Sequence, residues 1–309
     1  MSFRAAGIDV GTNSVKMVIG EMGKDGDLRI LVDSMRFARL GEGLGATGQL
    51  GQEAQGRTLA AIEEFLEVAK QHQVEKIRLV GTSALREAQN RGEFLLRVRR
   101  ELGVDPEVLS EEDEARLSYA AVALDPSLRT HRDPLCVVDI GGGSTELIFG
   151  EGAQVSISMS LRLGAVRLTE QVLRSNPPGR AELEEVGRKA EEKLHQAIAG
   201  RRARRVAGVG GTVVSLARMW KGVPSEMTEK VHGITMTPFD CRQMLDRLSG
   251  LSIAQRKTLV GLDPDRADII LTGAIILDRI LSMLGAEHLL VSTHGLRHGV
   301  LHELLKPVA

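Results

Sequence analysis

Short apolar runs at residues 4–10 and 15–21, joined by the turn Gly11-Thr12-Asn13-Ser14, read as two strands, and a third run follows near 28–40. Longer stretches carry apolar residues near the 3.6-residue period, at 51–72, 91–103, 110–124, 164–174, 181–202, 238–248 and 264–284, and these predict helices. The segment LCVVDIGGGSTELIFGE at 135–151 repeats the opening of the chain. Asp9, Gly11, Ser14, Gly20 and Glu21 meet Asp139, Gly141, Ser144, Gly150 and Glu151, each pair 130 positions apart. The match continues more loosely from Leu40-Gly41 to Leu163-Gly164, and from GTSALR at 81–86 to GGTVVSLAR at 210–218.

The predicted order of three strands, helix, strand, helix, strand, helix is therefore used twice. That order implies two layered α/β lobes, each a sheet covered by helices. Residues 1–125 form the expected first lobe, with a tail at 299–309 returning to it, and 126–298 form the second. The segment from Asp125-Pro126 to Asp133-Pro134 is the expected crossing between them.

Composition narrows the choice of partner. The 309 residues hold 40 Lys and Arg against 41 Asp and Glu, so no overall field gathers nucleic acid or an acidic membrane, and a polyanion needs a local site. Aromatic residues make up 3% of the chain, too few for the stacking platforms of single-strand binders. No uncharged run reaches membrane-spanning length, and MSFRAAGIDVGTNS lacks the apolar core of a signal peptide. Cys136 and Cys241 stand far apart without partners at zinc spacing. They read as reduced core thiols of a cytoplasmic protein with neither nucleic acid nor membrane as partner.

A glycine turn directly after a buried strand lets main-chain N–H groups approach an anion without interference from a Cβ. Gly11, Thr12, Asn13 and Ser14 form one such turn, and Gly141, Gly142, Gly143, Ser144 and Thr145 the other, with side-chain hydroxyls and an amide adding donors. Duplicated lobes would face these loops across a cleft. There Asp9 and Asp139, joined by Glu146, are candidate ligands for a divalent ion that neutralises phosphate oxygens. Gly210, Gly211 and Thr212, opening a helix, are a third candidate phosphate contact.

Several motifs resemble the exopolyphosphatase/guanosine pentaphosphate phosphohydrolase (Ppx/GppA) family, in its short two-domain form. They are DVGTNS at 9–14, GTSALREAQN at 81–90, EARL at 114–117, DIGGGSTE at 139–146, SLRLGAVRL at 160–168, GVGGT at 208–212, RADII at 266–270 and GLRHGVL at 295–301. The resemblance implies two duplicated RNase H-like lobes of the actin-like ATPase kind with an active-site cleft between them. It also implies a homodimer and Mg²⁺-dependent release of terminal phosphate from inorganic polyphosphate, or from guanosine pentaphosphate (pppGpp). A kinase of the same superfamily and a non-catalytic polyphosphate or nucleotide sensor are the remaining alternatives.

The acidic run Glu111-Glu112-Asp113-Glu114 departs from the family's usual pattern. Ser110 and Asp113 fit a capping box, and acidic residues suit a first helical turn. Glu114 shares a helical face with Leu117, Ala121 and Leu124, so it should be drawn inward, and the resemblance places the catalytic glutamate on it. Arg86 is a candidate phosphate clamp or a salt-bridge partner for this acidic segment. Arginines at 97–100 and 201–205 end predicted helices, where the dipole and water satisfy them. Residues 41–48 read as a mobile loop. His294, His298 and His302, four apart, raise the question of a metal site weakened by Gly295 and Gly299.

Overall fold

The structure, a computed structural model, describes residues 3–23, 28–128 and 135–306. These divide into two units. One takes the chain up to Ala121 and again from Leu296 onward, and the other takes Val122–Gly295. Residues 129–134, most of the expected crossing segment, and 307–309 of the expected tail lie outside the described residues.

In the first unit β1 (Arg4–Val10), β2 (Ser14–Met22) and β3 (Leu28–Phe37) form an antiparallel meander. The helices α1 (Leu44–Thr47) and α2 (Gln52–Gln71) then lead to β4 (Lys76–Gly81), which pairs parallel with β1. After α3 (Ser83–Glu87) and α4 (Arg91–Leu102), β5 (Pro106–Val108) closes the sheet in the order β3-β2-β1-β4-β5, and α5 (Glu111–Ala123) follows. Alternate residues of β1 face opposite sides of the sheet, and both sides are covered, so β1 is buried from Ala5 to Val10. Ala6, Ile8 and Val10 pack with Leu59, Ile62 and Phe65 of α2, while Ala5 turns to the other face and meets Leu301 and Leu305 of the C-terminal helix Leu296–Leu305.

The second unit repeats the plan. β6 (Leu135–Ile140), β7 (Thr145–Glu151) and β8 (Gln154–Leu161) form its meander, followed by α6 (Ala165–Val172) and α7 (Arg180–Ile198). Then come β9 (Arg205–Val209), α8 (Gly210–Lys221), β10 (Thr235–Met236), α9 (Pro238–Ser249), α10 (Ile253–Arg256), α11 (Ile270–Leu284) and β11 (His288–Val291), with the C-terminal helix as α12. The sheet order is β10-β11-β9-β6-β7-β8. The β8-β7-β6-β9-β11 portion has the strand order of the first sheet, so the repeat read in the sequence is a repeat of topology. Cys136, Val138 and Ile140 face a single core shared with α7, α8 and α11. Both cysteines are buried free thiols, and burial pushes each up to about 12.

Candidate active site

The turn after β1 is built by its own main chain. The Gly11 N–H donates to the Ser14 carbonyl at 3.0 Å, and the Asn13 carbonyl accepts from Ala38 and Arg39 at 3.2 and 2.9 Å. Gly41 lies so close behind the turn that a Cβ there would stand 2.3 Å from Thr12 Cγ2. Thr12, Asn13 and Ser14 are consequently buried, and Asn13 Nδ2 has no hydrogen-bond partner among the described residues. Asp9, at the end of β1, is 5% exposed and lies across from Lys16, whose Nζ is 3.8 Å from Oδ2. Its Oδ1 has no partner among the described residues. Burial raises the Asp9 pKa above its ordinary value, against the pull of Lys16 and Arg297. A buried donor and a buried acceptor left unmatched are costly, and the donor is suited to an anion's oxygen.

Glu114 sits in the first turn of α5, 8% exposed, as its place among Leu117 and Ala121 requires. Ser110 caps the same turn by accepting the Asp113 N–H at 3.0 Å, while Glu111 and Glu112 face water. Arg86 closes α3 and reaches Glu114 Oε2 through Nη1 at 2.5 Å, with the Leu109 carbonyl 3.2 Å from the same nitrogen. The salt-bridge role considered for Arg86 is therefore realised with Glu114 itself. Glu87 is engaged elsewhere, by the Ser83 hydroxyl at 3.0 Å.

The second hairpin has the same backbone, with the Gly141 N–H donating to Ser144 at 2.9 Å, but a different charge. Asp139 pairs across the sheet with Glu146 where the first hairpin has Lys16. Glu146 is 3% exposed and its Oε1 accepts the Ser160 hydroxyl at 3.0 Å. Two carboxylates at directly opposed strand positions repel, a cost that a divalent cation with hard oxygen ligands offsets. Asp139 also touches the start of α8. Gly210 adopts φ 79°, and a Cβ on it would lie 2.4 Å from Asp139 Oδ1, so only glycine admits this approach.

The hydroxyls of two predicted phosphate contacts are directed at main-chain carbonyls. The Thr145 hydroxyl is fully buried and donates to the Leu163 carbonyl at 2.5 Å, and Thr212 Oγ1 is directed at the Ile140 carbonyl at 3.5 Å with Gly273 packed against it. Both side chains brace the loops that present Gly142, Gly143, Ser144 and Gly211. The guanidinium of Arg266 lies over Gly211, where a Cβ would fall 1.9 Å from Cζ. Burial lowers that guanidinium to about 10, while Asp263 and Asp139 act in the opposite direction. Arg266 belongs to the RADII motif, in which the sequence alone singles out no individual site residue.

Other expectations resolve locally. Arg97, Arg99 and Arg204 pair with Glu101, Asp105 and Glu287, and Arg201 and Arg202 donate to main-chain carbonyls, so these clusters need no polyanion. Residues 41–48 are not an open loop. They contain α1, stopped at Gly48 with φ 69°. His294, His298 and His302 do not share a helical face, because α12 starts only at Leu296. His298 meets Asp33 at 3.2 Å, and His294 meets Asp125 at 2.6 Å.

With this geometry in place, comparison with known proteins is specific. A model of the Ppx/GppA phosphatase family matches residues 17–307. Exopolyphosphatase 2 of Mycobacterium tuberculosis is 34% identical over 96% of this chain and 97% of its own. The crystal structure of the Aquifex aeolicus Ppx/GppA family member is 34% identical, covers 100% of both chains and superposes with a TM-score of 0.84. An exopolyphosphatase from Cytophaga hutchinsonii, 26% identical, has a TM-score of 0.89 over 98% of this chain and 97% of its own.

Proposed function

Since the chain belongs to the Ppx/GppA phosphatase family, we propose that it is an exopolyphosphatase, releasing orthophosphate from the end of an inorganic polyphosphate chain by hydrolysis. The observation that carries this reading is the buried Glu114 carboxylate at the start of α5, a base suited to water rather than to an acceptor substrate. Glu114 takes a proton from a water molecule as its oxygen attacks the terminal phosphorus. The bridging P–O bond breaks in line, and the shortened chain leaves with that oxygen. Arg86 orients Glu114 through Nη1, and its remaining nitrogens are donors for phosphate oxygens.

The hairpin amides at Gly11–Ser14 and Gly141–Ser144, Asn13 Nδ2 and the Gly210–Gly211 helix start bind the terminal phosphates. Asp139 and Glu146 would hold Mg²⁺, which supplies charge neutralisation at the phosphate oxygens when bound. Asp9 is the weaker candidate ligand, because Lys16 already compensates its charge.

Polyphosphate is favoured over pppGpp because the named relative is an exopolyphosphatase and because aromatic partners for a guanine base are scarce. Buried thiols at Cys136 and Cys241 fit a reducing, cytoplasmic setting, and the family resemblance favours a homodimer, which sedimentation would test. The deciding experiment is phosphate release from polyphosphate and from pppGpp side by side, with Mg²⁺ or with excess EDTA. Activity on polyphosphate that EDTA abolishes is expected. A higher kcat/KM for pppGpp moves the substrate assignment, and full activity in EDTA removes the metal.

A further inference from the structure

Three loops of the second unit bring Asp125, His232 and His294 together, and we propose that they form a second metal site, chemically distinct from the Asp139–Glu146 pair and selective for a transition-metal dication such as Zn²⁺. One ligand atom from each residue lies within 4.8 Å of the other two. Asp125 Oδ2 faces both rings, 2.6 Å from His294 Nδ1 and 3.2 Å from His232 Nε2, and the ring centroids are 4.3 Å apart. Its other oxygen is already committed. Asp125 Oδ1 accepts the Ser127 N–H at 2.9 Å and the Ser127 hydroxyl at 2.6 Å, which fixes the carboxylate plane and aims Oδ2 at the imidazoles.

The ligands are held by main chain as metal ligands need to be. His232 follows the 3-10 turn Thr228–Val231, and the next residue, Gly233, donates its N–H to the Val291 carbonyl at 2.8 Å. His294 is pinned through its own backbone, with its N–H on Ser292 Oγ at 3.1 Å and its carbonyl accepting the same hydroxyl at 2.9 Å.

The second nitrogen of His232, Nδ1, lies 3.0 Å from Thr293 Oγ1 and 3.2 Å from Thr293 N. In the metal-free chain Nδ1 accepts the Thr293 N–H, and the Nε2 proton serves Ser127 Oγ at 2.9 Å and Asp125. Metal at Nε2 would leave the ring proton on Nδ1, with Thr293 Oγ1 at 3.0 Å as its acceptor, at the expense of the Thr293 N–H bond to that nitrogen. An outer-shell oxygen that takes the second ring proton is the usual companion of a ligating histidine.

Two imidazoles and one carboxylate suit a borderline first-row dication, whereas Mg²⁺ prefers all-oxygen sites. Three protein ligands leave room for water, and His294, with 31% of its side chain exposed, provides the way in. The position suggests the purpose. Asp125 lies three residues after the chain enters the second unit, and His294 is one residue before the unit ends at Gly295. An ion here ties the unit's first and last segments to the loop carrying His232, a structural closure that does not depend on catalysis.

The test uses the full chain, freed of any affinity tag, loaded with Zn²⁺ or Co²⁺ and desalted. We expect about one ion per chain by mass spectrometry, visible Co²⁺ absorption of the intensity given by low-coordinate nitrogen and oxygen ligands, and a melting temperature several degrees higher with Zn²⁺. His232→Ala and His294→Gln should lose the bound ion and the thermal shift. Circular dichroism would verify that both are folded, and the more exposed His294 is the safeguard if His232→Ala is not. Zinc retained equally by both variants, or no ion held by the wild-type chain at micromolar Zn²⁺, would overturn the proposal and leave the cluster a hydrogen-bonded ion pair.

Discussion

The two glycine hairpins have matching backbones and different electrostatics. In each, the first glycine donates to the carbonyl of the serine three residues on, and a Cβ on that glycine would stand 3.2 Å from the same oxygen. Opposite the strand-end aspartate, however, the first hairpin places Lys16 and the second Glu146. The supports differ as well. Gly41 rests on the Thr12 side chain, whereas Gly164 rests on the main chain of Gly142 and Gly143. Duplication has kept the glycine turn twice and changed the charge beside it. The first unit sets Lys16 beside its strand-end aspartate and holds the Arg86–Glu114 pair, and the second sets a second carboxylate, Glu146, opposite its own.

The sharpest test of that division removes the base. Glu114→Gln should lower kcat by roughly 10² to 10⁴ with KM little changed, while Glu112→Gln, exposed on the same turn, should be nearly silent. Inversion of these two outcomes in steady-state assays would move the base to another helical face. Next in size, Glu146→Gln should raise the Mg²⁺ concentration needed for half-maximal rate by more than about 100-fold, with part of the rate restored by excess metal. Asp9→Asn should not show this behaviour. Equal metal titrations for the two variants would erase the electrostatic distinction between the hairpins.

Stability separates the supports. Gly164→Ala forces the glycine turn itself to move, because the new Cβ would lie 2.2 Å from the Gly142 carbonyl oxygen, so a loss of about 2–3 kcal/mol is expected. Gly41→Ala meets a side-chain methyl group and should cost less, about 1 kcal/mol, in urea melts of the two variants. The smallest effect concerns pH. Burial raises the Asp9 pKa above 3.8, so its contribution to stability is greatest below that value and is lost as pH rises through the folded-state pKa. Asp9→Asn should therefore gain on the wild type as pH climbs from about 4, and a gain appearing instead on acidification would contradict the raised pKa.

How much of this was legible depended on how locally each feature is encoded. The hairpins, the Ser110 cap and the inward face of Glu114 each involve residues a few positions apart, and their geometry follows from strand alternation and helical period. The Thr145 bond was hidden, because its hydroxyl is taken by the carbonyl of Leu163, which the chain brings back eighteen residues later. The His294 spacing misled for a related reason. A four-residue interval implies a shared face only inside one helix, and here a strand end and a helix start divide the run between Asp125 and Asp33. Asp125, His232 and His294 meet only once the sheet has placed their loops, and no periodicity announces that.

Helix α12 has a consequence for how the protein is made. Gly7 and Gly20 admit it so closely that Cβ atoms there would stand 2.8 Å from the Arg297 carbonyl and 2.9 Å from the Leu301 side chain, and Gly299 sits on the Leu117 carbonyl. Its leucines and Val300 cover Ala5, Val18 and Val80. These contacts come from residues made after the whole second unit, while the surfaces they cover are made before it. A nascent chain therefore carries an unfinished amino-terminal sheet through synthesis of the whole contiguous second unit, reversing the usual N-terminal-first order of maturation. Chains stalled or truncated before Leu296 should accordingly expose that apolar face and be the species that chaperones retain.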